Sequence, residues 1–468
     1  MNQNKYIIKN ASVYDGLGSD KFQADILIED GIIKEIGNIG NIDCKTIDIK
    51  GNAIAPGFID VHSHDDIALI VYPEMDFKVM QGVTTVINGN CGNNVIPRHG
   101  TLERWQTRYP DNPIPEWNSY DDYIDLINSI KPSVNSAILI GHGSVRNGCG
   151  LKNQQRLPNL NEYDQMKGWI REGMEAGAVG FSTGLIYEPG RYSSTEEIIE
   201  LTKVISPYDG VYSSHMRNEG NNLLLSIEET IKIGQGADTS IEISHHKVSG
   251  KDNWGLSKKS TEMINEARDN GINVHSDQYP YIAGQSALFA IHQNNAFNEG
   301  EGGLGTVSGD KVIIAHAPLM PEYEGKKLSD ICDDFDLPEQ EAAEKILSQD
   351  PHVLAIIEGM CEEDLVTILS NPHTMIGSDG VPASGANPHP RLYGCFPRVL
   401  GKYARDEKII SMETAIYKMT GLPAKKFNLN DVIILNIDND EYLIKKNIEL
   451  DLNFNKNNLV DSISNYRY

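Results

Sequence analysis

The sequence predicts an α/β fold: a TIM-type (β/α)8 barrel with a small β-sandwich-like accessory domain and an insertion between barrel strands 7 and 8. Two observations carry that reading. From Gly51 onward, eight short apolar runs alternate with segments of helical spacing, the pattern of βα units around a parallel sheet. Several of those runs stop on histidine, cysteine or aspartate, and in such barrels the chemistry sits at the C-terminal ends of the strands.

Residues 1–54 are expected to form the N-terminal part of the accessory domain. Runs at 6–10, 24–28 and 32–36 read as strands, and Glu29-Asp30-Gly31 between the last two is a tight hairpin signal. So few strands bury too little alone and need partners from elsewhere in the chain. The barrel follows over 55–420. Its strands are expected at 53–61, 83–88, 136–140, 178–181, 211–214, 240–244, 272–276 and 374–377. Segments 161–176 and 195–205 have helical spacing, and Ser194-Thr195-Glu196-Glu197 reads as a capping-box start. The interval of about 285–370 is long for a crossover and is expected to add a strand at 312–315 and helices at 338–347 and 362–369, as a lid over the mouth. The tail, 421–468, stands apart. From 431 it contains no Gly, Pro or Ala, and its runs at 432–437 and 442–454 are strand candidates for completing the accessory domain.

With 66 acidic against 41 basic residues, the net charge is -25. That argues against nucleic acid, which needs a basic surface, and against an anionic membrane face. No apolar run approaches a membrane span. The six cysteines lack CxxC spacing, and the first residues show no basic region followed by an apolar core. Both point to a cytoplasmic protein with free thiols.

The strand ends carry the chemistry. The first run closes on His62 and His64. Residues two apart on an extended chain point the same way, so both imidazoles can grip one ion. The second run leads to Asn88-Gly89-Asn90-Cys91-Gly92, and a thiolate is a strong zinc ligand. The fifth ends at His215, the sixth at His245-His246-Lys247 and the eighth at Ser378-Asp379-Gly380. Each alone is more often structural; gathered at one barrel mouth, the set indicates a metal hydrolase. Nitrogen and sulfur donors favour Zn²⁺ over hard cations. Such an ion polarises a carbonyl and lowers the pKa of water. A carboxylate beside it can carry the proton to the leaving nitrogen, and Asp379 is the candidate.

These motifs resemble the amidohydrolase superfamily and, more closely, its D-aminoacylase (N-acyl-D-amino-acid deacylase) family. The match runs in family order from about residue 5 to 427. It takes in Gly57-Phe58-Ile59-Asp60-Val61-His62-Ser63-His64, Gly89-Asn90-Cys91-Gly92 and Ser182-Thr183-Gly184-Leu185-Ile186-Tyr187. It continues through His215-Met216-Arg217-Asn218-Glu219, Ser244-His245-His246-Lys247, Gln278-Tyr279-Pro280-Tyr281 and Pro388-His389-Pro390-Arg391. The resemblance implies a tight zinc on Cys91, His215 and His245, and a second, weaker metal position on His62, His64 and Asp379 with Cys91 able to bridge. It implies that Arg391, with Tyr187 and Lys247, holds the carboxylate of the substrate, a task that suits a planar guanidinium. Tyr281 is a candidate for the pocket wall, and His142 for a supporting role rather than a ligand. The fourth strand has no lysine to bridge two metals, as hydantoinase-like relatives have, which favours the deacylase branch. The implied reaction is zinc-dependent hydrolysis of small N-acyl-D-amino acids to a carboxylate and a free D-amino acid. A cyclic-amide hydrolase, a D-specific dipeptidase and an inactive scaffold of the same fold are the alternatives. The tail departs from the family, whose chain returns there to the small β domain.

Overall fold

The computed structural model describes residues 5–97, 102–298, 303–383 and 387–429. The strands expected at 432–437 and 442–454 lie outside the described residues. Five strands, β1 (Lys5–Val13), β2 (Phe22–Glu29), β3 (Ile32–Gly37), β4 (Lys45–Asp48) and β5 (Ala53–Ile54), make the N-terminal sheet. Their order is β3-β2-β1-β4, with β5 also on β1. β2 and β3 pair antiparallel across Asp30 and Gly31, whose φ values of 54° and 76° are those of a two-residue hairpin turn. One face of the sheet buries Ala11, Val13, Ala24, Ile26, Ile28 and Ile33.

Seven parallel strands follow: β6 (Phe58–Asp60), β7 (Val83–Asn88), β8 (Asn135–Gly141), β9 (Gly180–Gly184), β10 (Val211–His215), β11 (Ser240–Ile243) and β12 (Val274–Gln278). An insertion then supplies its own antiparallel sheet of β13 (Ala283–Ala287), β14 (Val312–His316) and β15 (Leu354–Glu358), ordered β13-β15-β14. Its helices Leu328–Phe335 and Glu339–Gln349 pack on that sheet through Leu328, Ile331, Ala342 and Ile346. The last barrel strand, β16 (Thr374–Ile376), pairs with β12. The ring closes just past the strand ends, where the Asp379 N–H donates to the His62 carbonyl at 2.7 Å and Ser63 bridges Gly380. Among the described residues, no helix is long and apolar enough to cross a membrane.

Two expectations are corrected. The run at 53–61 is not one strand: Pro56 has no N–H for a ladder, and the chain passes there from the N-terminal sheet to the barrel. Gly57 makes that passage possible, because a Cβ on it would lie 2.1 Å from Thr84 Oγ1. The capping box at Ser194 is half made. Ser194 Oγ accepts from the Glu197 N–H at 3.2 Å, but the Glu197 carboxylate turns to His142, 3.0 Å away, and Arg146.

Candidate metal centre

Five strand ends deliver the donor atoms. The turn after β6 carries His62 and His64, β7 leads to Cys91, β10 ends on His215, β11 leads to His245 and β16 to Asp379. Cys91, His245 and Asp379 have φ of 55°, 36° and 48°. Non-glycine residues there cost of order 1–3 kcal/mol each and persist where the surroundings over-determine them. The flanking turn needs glycine: Gly92 has φ 72°, and a Cβ on it would lie 2.7 Å from the Gly184 nitrogen.

Cys91 Sγ lies 3.3 Å from His62 Nε2, 3.5 Å from His245 Nε2 and 3.6 Å from His215 Nδ1. His245 Nε2 and His215 Nδ1 are 2.7 Å apart. His64 Nε2 and His62 Nε2 lie 3.2 Å and 3.6 Å from Asp379 Oδ1. Three triads result: His62/His64/Cys91, Cys91/His215/His245 and His62/His245/Asp379, the donor atoms within each lying within 4.8 Å of one another. Burial opposes a charge on Cys91, but the imidazoles of His62 and His245 outweigh it and hold the thiol well below its usual pKa. Burial likewise pulls His64 down, and the Asp379 carboxylate and Cys91 more than offset it, raising His64 to about 9. Burial pushes Asp379 up, yet Arg391 and His245 hold it well below the usual carboxylate range. A thiolate and converging imidazole nitrogens in a buried pocket are the donor set that Zn²⁺ takes, so the residues fit that ion.

The candidate ligands are braced from behind. His62 Nδ1 faces Asp277 Oδ2 at 3.2 Å, which leaves Nε2 for the cluster. His245 Nδ1 lies 3.0 Å from Glu219 Oε1 and 2.7 Å from Lys247 Nζ. Carboxylates in this position fix the tautomer and raise ligand basicity. Sequence reasoning assigned no role to Asp277 or Glu219. Asp277 lies within β12, whose C-terminal end faces the same mouth, and Glu219 stands four residues after His215, so both positions carried a signal.

His62, His64, Cys91, His215, His245 and Asp379 thus converge, while His246 turns away to Ser260 Oγ at 2.8 Å. Arg391 joins them, with Nη1 2.8 Å from Asp379 Oδ2 and Nη2 donating to the Gln285 carbonyl at 3.1 Å. Its Nε and Nη1 make no aligned hydrogen bond. The Tyr187 ring packs 4.6 Å from that of His215, and its hydroxyl meets Ser286 Oγ at 3.2 Å. Lys247 stands behind His245, ion-paired with Glu219. Tyr281 packs beside the helix Arg391–Arg398, its ring 5.3 Å from His389 and its hydroxyl donating to the Pro390 carbonyl at 3.4 Å. Like Arg391, neither Lys247 nor Tyr281 lines the cleft of about 280 Å³ that opens over His64, Cys91, Asp379 and Tyr187.

A parallel barrel that gathers these triads at the wall of a cleft is a metal-dependent hydrolase. The amidohydrolase family matches residues 45–239. The D-aminoacylase of Alcaligenes xylosoxydans xylosoxydans is 36% identical over 429 residues, covering 90% of this chain and 84% of that protein. The N-acyl-D-glutamate deacylase of the same organism is 32% identical over 428 residues, covering 91% and 83%. Among solved structures, the N-acyl-D-glutamate deacylase of Bordetella bronchiseptica, complexed with zinc and a phosphonate mimic of the tetrahedral intermediate, superposes with a TM-score of 0.82. It is 32% identical and the match covers 92% of this chain and 87% of that one. The chain belongs to the D-aminoacylase family of the amidohydrolases.

Proposed function

We propose that the protein hydrolyses the amide bond of N-acyl-D-amino acids, giving a carboxylate and a free D-amino acid, with Zn²⁺ as its metal. The observation that supports this reading best is the Cys91/His215/His245 triad beside the Asp379–Arg391 pair, residues of the types that bind a metal, carry a proton and anchor a carboxylate. Cys91, His215 and His245 are the tight ligands, and His62, His64 and Asp379 form the weaker position. Zinc, when bound, supplies Lewis acidity at the scissile carbonyl and acidifies water.

The side chains do the rest. Asp379 accepts a proton at Oδ1 and hands it to the leaving nitrogen. Arg391 is a planar fork whose Nε and Nη1 make no aligned hydrogen bond, so it keeps donors for a carboxylate. As that fork engages the α-carboxylate of the substrate it draws charge away from Asp379, which becomes more basic. Tyr187 walls the cleft beside His215, and Lys247 with Glu219 orients His245. The D configuration and the linear amide are supported by the names of the relatives, D-aminoacylase and N-acyl-D-glutamate deacylase. The six cysteines, all free, support a reducing, cytoplasmic setting. The same reading keeps 1–54 as an accessory unit, 55–420 as the barrel with its insertion and 421–468 as a tail.

The test is hydrolysis of N-acetyl-D-methionine against its L-enantiomer, on protein whose zinc is quantified in the same sample. Turnover of the D form alone with about one zinc per chain is expected for a tight three-ligand site. Turnover of the L form, or of cyclic amides or dipeptides in place of the D-acyl compound, overturns the reading.

A further inference from the structure

One cationic side chain in the cleft has no part in the chemistry above. Arg108 closes the helix Leu102–Arg108 and lines the same cleft as His64, Cys91 and Asp379. It is half-buried, beside the buried rings of Trp105 and Tyr109. The chain has 66 acidic residues against 41 basic ones, yet among the described residues no carboxylate pairs with Arg108. Of the other acids on the cleft wall, Asp379 belongs to Arg391, Asp66 sits in the field of His64, and Glu188 accepts from Tyr192 and Gln293. Apart from His64, Arg108 is the only cationic side chain on the wall among the described residues. A guanidinium partly removed from water with no counter-charge is costly unless a ligand supplies one. In a water-poor cleft a carboxylate is the group its planar fork fits best.

We propose that Arg108 recognises a second carboxylate on the substrate, distinct from the α-carboxylate held at Arg391, so that dianionic N-acyl-D-amino acids are preferred over their monoanionic counterparts. The inference rests on the cleft being the substrate site. The second carboxylate has two sources, an acidic D-side chain or a dicarboxylic acyl group. At about 280 Å³ the cleft is near the small end of ligand pockets, which suits an acylated amino acid of either kind and no longer peptide.

The experiment uses the full, zinc-loaded chain and two matched pairs. N-acetyl-D-glutamate against N-acetyl-D-glutamine reads the side-chain arm; N-succinyl-D-methionine against its succinamic counterpart reads the acyl arm. Equilibrium binding and kcat/KM are measured for the native chain, Arg108→Leu and Arg108→Lys, with circular dichroism confirming that each variant is folded. The native chain should favour the dianion in one pair. Arg108→Leu should collapse that ratio by roughly 10- to 100-fold, chiefly through KM, as expected for a lost charge-assisted hydrogen bond. Arg108→Lys should restore part of it. A native chain indifferent to the second carboxylate in both pairs, or a preference that survives in Arg108→Leu, overturns the inference. Because binding is read apart from turnover, the two claims fail separately. An Arg108-dependent preference in binding without hydrolysis sustains this inference and removes the activity. Hydrolysis of N-acetyl-D-methionine with no such preference does the reverse.

Discussion

Replacing Lys78 with methionine tests whether a buried charge cluster ties the first barrel strand to the last. Lys78 is fully buried and donates to the Asp60 carboxylate and, at 2.9 Å, to Ser378 Oγ; its Nζ lies 3.1 Å from Asp65 Oδ2. Asp60 in turn accepts from the Ser378 N–H at 2.7 Å and the His62 N–H at 3.3 Å. One cation therefore stands behind both the first histidine and the residue before Asp379. Methionine keeps much of the volume but leaves two buried carboxylates with no counter-charge. Breaking a buried ion pair from one side costs about 3–5 kcal/mol, and two stranded carboxylates place this variant toward the upper end. Protonation relieves part of that cost and fixes the pH dependence. Burial already holds Asp65 above its unfolded value of about 3.9 against the pull of Lys78; without that cation it rises further, so the folded variant binds more protons than the unfolded chain and its stability falls as pH rises. The deficit against the native chain should therefore be larger at about pH 8 than at about pH 5. Urea denaturation of both proteins at the two pH values measures it. A deficit below about 1 kcal/mol, or one indifferent to pH, would refute the reasoning.

Four further outcomes are expected. Asp379→Ala should keep zinc at the tight triad, by metal analysis, while turnover falls by roughly 10²- to 10⁴-fold. Asp277→Ala should weaken zinc at the second, weaker position about 10- to 100-fold in competition with a chelator while the tight triad stays loaded, because His62 loses the partner that orients it. Exhaustive chelation should abolish hydrolysis and added Zn²⁺ restore it. Lys418 donates to the carbonyls of Asn371 and Thr374, and burial pulls its pKa down to about 7. Its folded pKa lies below the unfolded value, so native stability should rise with pH between about 7 and 10.5. Thermal melts should show the advantage of the native chain over Lys418→Met growing across that window, by up to about 5 kcal/mol; a constant difference contradicts the burial of this ammonium.

The barrel was legible because its parallel strands are covered on both faces and read as short apolar runs. The run at 83–88 is β7 residue for residue, and the others shift at one or both ends by a residue or more. The candidate ligands were legible because each stands at or just past a strand end and is of a type that binds metal. What escaped depends on partners far away in the chain. β13, Ala-Gly-Gln-Ser-Ala, has no strand pattern and is extended because β15 pairs with it. The pairing of Lys247 with Glu219, on the loop after the neighbouring strand, joins two strand ends and leaves no trace in the spacing. Asp277 braces a histidine 215 residues away, a separation across which periodicity carries no information. Pro56 was visible in the sequence, but only the two sheets on either side of it reveal why it stands there.

The most direct test of the metal centre is diffraction at the zinc absorption edge from crystals of the zinc-loaded chain. An anomalous peak about 2.0–2.3 Å from Cys91 Sγ and from a ring nitrogen of both His215 and His245 is expected. A peak elsewhere, or full turnover by protein shown to be free of metal, would contradict it.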